Sequence, residues 1–268
     1  MADVIFDIGM HNGNDTAYYL HKGYNVIAVE ANPVLAQNAT TRFSEEISQG
    51  RLIVLNVGIS DKAGDAEFWI CDDNSGWSSF DRSIASRNNS KHHAIIVKCI
   101  CYDDIIREYG IPYYMKIDIE GHDHLCIEAL DFQTAPKFIS IEMSHEDGDR
   151  DLRTLSELGY SEFMCIRQND LKAIDVHNVD FQNRIRLFTS YTLKIPLLRK
   201  IIWRSRYRIP RDGSWKFALG TSGPFGHDLK GEWMNYEQVK AVFSKLQEID
   251  RALGTRGLGE WFDFHARR

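Results

Sequence analysis

The chain has 268 residues, a net charge of -6 and 43% hydrophobic content. That is enough for one substantial core in a single domain with an insertion, and the acidic balance excludes a general electrostatic pull on nucleic acid. No apolar run reaches the roughly 18 residues a membrane span needs, and MADVIFDIGM lacks the basic flank and cleavage site of a signal peptide. The five cysteines, Cys71, Cys99, Cys101, Cys126 and Cys165, are odd in number and scattered, as expected of packed thiols in a reducing cytoplasm.

In chain order, the pattern predicts a strand from Val4 to Ile8, a helix from Asp15 to Lys22 closed by Gly23, and a strand from Val26 to Glu30. Pro33 opens a helix running to about Ser48, and Arg51 to Val57 is a third strand. AEFWI and AIIVKCI read as antiparallel additions around the polar loop CDDNSGWSSFDRS, which is placed to approach the site. Then come a helix near 103–109, strand 113–119, helix 122–130, strand 138–143, helix 149–158 and strand 162–166. Strands alternating with helices in this way give a mostly parallel α/β sheet with helices on both faces. From 180 to 235 the rhythm breaks into a basic, then aromatic and glycine-rich insertion, read as a cap or lid. A helix from Tyr236 to Leu253 and a last strand, WFDFHA, complete the single domain 1–268.

DIGMHNGNDT joins the first strand to the first helix. Gly9 and Gly13 allow a tight turn, and the helix start, with Asp15 and Thr16, points amides at whatever binds there. A dinucleotide fingerprint would read GxGxxG, whereas this turn is Asp7-x-Gly9-x-x-x-Gly13. A pyrophosphate gains nothing from Asp7, but a cofactor with a cationic amino-acid part does, which favours S-adenosylmethionine. Glu30 in VIAVEANP lies where an acid can accept both ribose hydroxyls, with Ala31 and Asn32 beside it. Val57 and Gly58 in NVGISD follow the third strand, where an adenine edge is read.

YMKIDIEGHD carries Lys116, Asp118, Glu120 and His122 at a strand end, and FISIEMSHE adds Glu142 and His145. These are candidates for a general base or for orienting a hydroxyl; Asp118 and Glu142 could also hold a divalent ion, although no octahedral ligand set is present and a metal-free site is preferred. The plainer alternative makes Asp118 a helix cap and pairs Lys116 with Glu120 across the surface.

DIGMHNGNDTAYYLHKGYNVIAVEANP and MKIDIEGHD together resemble the FkbM family of methyltransferases over residues 4 to 168. The resemblance implies a Rossmann-like class I methyltransferase fold with a mostly parallel seven-stranded sheet, S-adenosylmethionine as donor, and a hydroxyl of a sugar, glycan or natural product as acceptor. Nitrogen or carboxylate methylation is the alternative, ahead of a nicotinamide oxidoreductase or a non-catalytic cofactor-binding protein. Between 184 and 216, ten Lys and Arg face only Asp212. That run suits an anionic or lipid-linked acceptor, or peripheral contact of 184–211 with an anionic membrane; the plain alternative is that its arginines balance acids elsewhere.

Overall fold

The computed structural model describes residues 3–192, 209–253 and 260–268. The chain divides into two compact units, Met1–Ile141 and Glu142–Arg268.

In the first unit, β1 (Val4–Ile8) lies between β2 (Asn25–Val29) and β7 (Tyr114–Ile117), with β3 (Leu52–Leu55) beyond β2 and β8 (Phe138–Glu142) beyond β7. Every pairing is parallel, so the strands end on one edge, where open α/β sheets bind ligands. The register sets Asp7 beside Lys116, two charged residues in an otherwise apolar row. α1 (Asn14–His21) follows β1, and α2 (Pro33–Arg42) follows β2, capped by Asn32 and started by Pro33. The helix expected through Ser48 breaks at Phe43 (φ −109°, ψ 27°) and resumes as α3 (Ser44–Ser48). Phe43 turns its ring toward Gly13 with the Arg42 guanidinium 4.7 Å over it, and that packing outweighs helix continuity.

The antiparallel addition is present as a separate sheet, with order β4 (Gly58–Ile59), β6 (His92–Ile100), β5 (Gly64–Cys71). Phe68, Val97 and Cys99 form its core, with Phe80 packed against them. All five cysteines are free, and Cys99 and Cys101 serve packing and a hydrogen bond to the Asp61 carbonyl. The short helix α4 (Arg82–Ala85) lies between β5 and β6; α5 (Tyr102–Tyr109) and α6 (Asp123–Glu128) flank β7.

The second unit holds α7 (Gly148–Glu157), β9 (Glu162–Arg167), β10 (Lys172–Ile174), α8 (Val179–Thr192), a small hairpin of β11 (Arg211–Asp212) and β12 (Trp215–Lys216), α9 (Tyr236–Leu253) and β13 (Phe262–Arg267). β9 pairs antiparallel with both β10 and β13. Five parallel and three antiparallel strands thus make eight in a mixed arrangement, correcting the expected seven. The added strand is β10, too short for a periodic signal and turned back by Leu171 at φ +54°. α8 is also new, and the expected insertion is therefore partly regular. The aromatic and glycine-rich stretch packs on β9 and β10: Phe163 bridges Met234, and Leu229 joins Met164 and Ile166. Most of the apolar and basic run, 193–208, lies outside the described residues. Among the described residues, no helix is long and apolar enough to cross a membrane.

Candidate active site

The ends of β1, β2 and β7 bring together most of the acids singled out in the sequence. Asp7 is fully buried; one oxygen accepts the Thr16 hydroxyl at 2.6 Å and the other lies 3.3 Å from Lys116 Nζ. Lys116 also donates to the Gly9 carbonyl at 2.8 Å and lies 3.6 Å from Asp118. Burial works against this ammonium, but Asp7, Asp118 and Asp15 raise its pKa above the ordinary lysine value. Asp7 and Thr16 therefore fasten the turn from within. Asp15, also buried, adds negative charge from the first turn of α1.

Gly9 is required by the protein itself. At φ +84°, a β-carbon there would sit 1.8 Å from the Asp118 carbonyl oxygen. The two strand ends meet at this point, and the turn rises over β2 through hydrogen bonds from Gly9 and Met10 to the Val29 carbonyl. Gly13 caps α1 in the left-handed region at φ +75°, with Phe43 against it.

Glu30 is buried, and its carboxylate closes the turn: Oε2 accepts the His11 N–H at 2.7 Å and Oε1 the Asn32 N–H at 2.8 Å. Burial raises its pKa to about 7, against the pull of those two N–H groups. Each oxygen keeps lone-pair capacity for a further donor. Asn32 is spent on its own helix, accepting from Val34 and Leu35, and Ala31 packs against the three-stranded sheet. Val57 is half-buried, and Gly58 is pressed by the Phe80 ring, which a β-carbon would meet at 2.3 Å.

Asp118 is not the helix cap. Its partner is Lys116, and Asp123 organises the turn by accepting from Ile119 and Gly121, both at 3.0 Å. That pull ends β7 two residues before the expected Ile119. Glu120, in the left-handed region at φ +51°, pairs with Arg87 at 3.1 Å rather than with Lys116. Burial raises its pKa, Asp118 adds to this and Arg87 opposes it. Carboxylate oxygens of Asp118 and Glu120 lie within 4.8 Å of one another, and Glu142 is the last residue of β8. His122 stacks on Phe80 (centroids 4.8 Å apart, 7° between planes) with Nδ1 3.2 Å from the Ile59 carbonyl. His145 belongs to the second unit, half-exposed and 3.2 Å from Asp250.

Several residues at this site were not singled out from sequence. His11, a non-glycine residue at φ +52°, costs of order 1 kcal/mol in backbone strain and places its ring Nε2 2.8 Å from Ser75 Oγ. The polar loop does approach the site: Ser79, fully buried, donates to the Glu120 carbonyl at 2.7 Å, and Arg87 reaches the Glu120 carboxylate. Arg42 braces the glycine turn through the Asn12 carbonyl at 2.7 Å. The positions within DIGMHNG and DIEGHD were visible as motifs, but these partners lie on distant segments and left no local signal.

A family profile, the Methyltransferase FkbM domain, matches residues 7–177, taking in both strand-end motifs and the three-stranded sheet. The chain belongs to the FkbM methyltransferase family. Among solved structures, this FkbM protein is similar to methyltransferase FkbM from Methylobacillus flagellatus KT at 18% identity and TM-score 0.43, over 61% of this chain and 40% of that one. It is also similar to precorrin-6y C5,15-methyltransferase from Geobacter metallireducens GS-15, at 10% identity and TM-score 0.38, over 65% and 73%. The chain thus spans two fifths of the FkbM structure's length. No curated protein matches it.

Proposed function

We propose that this methyltransferase takes S-adenosylmethionine as donor and methylates a hydroxyl of a sugar, glycan or natural-product acceptor. The observation that carries the donor is charge: Asp7, Asp15, Glu30 and Asp118 gather at one sheet edge around the buried Lys116 ammonium. An excess of carboxylate suits a cationic sulfonium and amino group and repels a pyrophosphate. When bound, the donor supplies a methyl already activated by its sulfonium. Glu30 offers its remaining lone pairs to the ribose hydroxyls, held in place by the N–H groups of His11 and Asn32. Asp118, fixed by Lys116, faces the developing chemistry. A metal-free transfer is part of the proposal, since Lys116 and Arg87 already stand against Asp118 and Glu120.

The acceptor is proposed as anionic or lipid-linked, met through the basic run 184–211 at an anionic membrane surface, in a reducing cytoplasm to which the five free thiols are suited. Calorimetry with S-adenosylhomocysteine against NADH tests the donor. We expect binding of the first alone, and binding of NADH alone would sink the reading. S-adenosylhomocysteine release over a panel of sugar, polyol and amine acceptors, with and without EDTA, then separates oxygen from nitrogen and metal-free from metal-dependent transfer.

A further inference from the structure

His11 stands at the centre of the turn between β1 and α1, its backbone and ring serving different neighbours. The N–H holds Glu30 Oε2, and the half-buried ring reaches Ser75, 64 residues away, at 2.8 Å. Two charged groups act on this ring from the β7 side, Lys116 and Asp118. The left-handed φ of +52° is a conformation that a β-carbon resists, held here by contacts on both sides. His122, by contrast, lies flat on Phe80 with Nδ1 against a carbonyl.

We propose that His11 is the general base of the transfer, an assignment that rests on the S-adenosylmethionine reading. With Nε2–H donated to Ser75 Oγ, Nδ1 keeps its lone pair. The acceptor hydroxyl oxygen forms a bond to the methyl carbon, the electron pair of the breaking sulfur–carbon bond stays on sulfur, and the hydroxyl proton passes to Nδ1. The positive charge that leaves the sulfonium reappears as imidazolium, so the net charge of the acidic site is unchanged, with Asp118 stabilising the new cation. Burial, and then Lys116, lower the pKa of the ring below the ordinary histidine value against the opposing effect of Asp118, which favours the neutral form that a base needs.

The test compares the neutral product with the charged donor. The His11 ring is titrated by NMR in the free protein and with saturating S-adenosylhomocysteine or S-adenosylmethionine, after calorimetry has established binding of each. His11→Asn assigns the resonance, since Asn tolerates a positive φ. Ser75→Ala, which perturbs the same ring, is a second assignment should the first variant fold poorly. A sulfonium within proton-relay reach of the ring should lower its midpoint by roughly one to two pH units relative to the thioether complex. Equal midpoints in the two complexes would place His11 away from the reacting centre and overturn the proposal. Failure of both ligands to bind would overturn the donor reading and the proposal with it, a result seen in the calorimetry before any histidine is titrated.

Discussion

Among the described residues, Lys116 is the ammonium that makes a buried Asp7 tolerable, because a charge removed from water must meet a partner or neutralise. We expect Lys116→Met to cost about 3 to 5 kcal/mol of stability in urea unfolding, and Asp7→Asn in the same chain to recover most of it. An additive double variant would show that the two groups do not act as a pair. Glu30 gives a pH prediction. Its pKa rises from the ordinary 4.5 to about 7, so the folded chain keeps a proton that the unfolded chain has released. The stability this contributes is complete below about pH 4.5 and is lost as pH rises through 7. On the proposed donor reading, ribose hydroxyls would donate to the ionised form, so S-adenosylhomocysteine should bind more tightly at pH 8 than at pH 6 and expel a proton near neutrality. Calorimetry in two buffers of different ionisation enthalpy checks this, and equal apparent enthalpies would remove Glu30 from the ribose.

At the scale of elements, the meeting of β1 and β7 depends on Gly9. Gly9→Ala would drive a methyl into the Asp118 carbonyl and force the strand ends apart. We expect loss of S-adenosylhomocysteine binding and a Tm lowered by several degrees, measured by calorimetric melting. This position was legible in the sequence because glycine and an acid at a strand end are local signals, as were Glu30 and the antiparallel excursion after β3. The break at Phe43 was not legible, since it depends on a ring finding Gly13 thirty positions earlier; nor was the handover of the DIEGHD turn from Asp118 to Asp123. β13 carries a further consequence. His265 is buried there with its Nε2 unbonded among the described residues, and burial lowers its pKa to about 3. The unfolded chain protonates this ring below about 6.5 and the folded chain does not. Its stability contribution, on the order of 4 kcal/mol, is therefore present above that pH and lost as pH falls toward 3. A less polar ring or chain at this position, as in His265→Leu, should shift acid unfolding, followed by circular dichroism, to lower pH.

For the whole molecule, the acidic net charge hides a division of labour within the basic run. Arg186 is internal: it bonds Asp250, lies 2.8 Å from Glu260 and sits over the Phe262 ring, whereas Arg184 is exposed. Arg186→Ala should cost about 3 to 5 kcal/mol in denaturant unfolding and Arg184→Ala less than about 0.5. Replacing Arg199, Lys200, Arg204 and Arg206 with glutamine should leave S-adenosylhomocysteine affinity unchanged and reduce sedimentation with phosphatidylserine vesicles at low salt. Unchanged sedimentation would reduce the run to surface charge. The two sides of the strand-end site are built from different material. Around Glu30 and Gly9 the geometry is set by main-chain atoms, which point substitutions seldom move without unfolding something. The loop between β5 and β6 is fastened by a few side-chain contacts of Ser75, Ser79 and Arg87. On the proposed function, such a loop can be rewritten while the main-chain side keeps its shape, so a library randomised at Asn74, Gly76, Trp77 and Asn88, selected for retained S-adenosylhomocysteine binding, tests whether this loop sets acceptor preference.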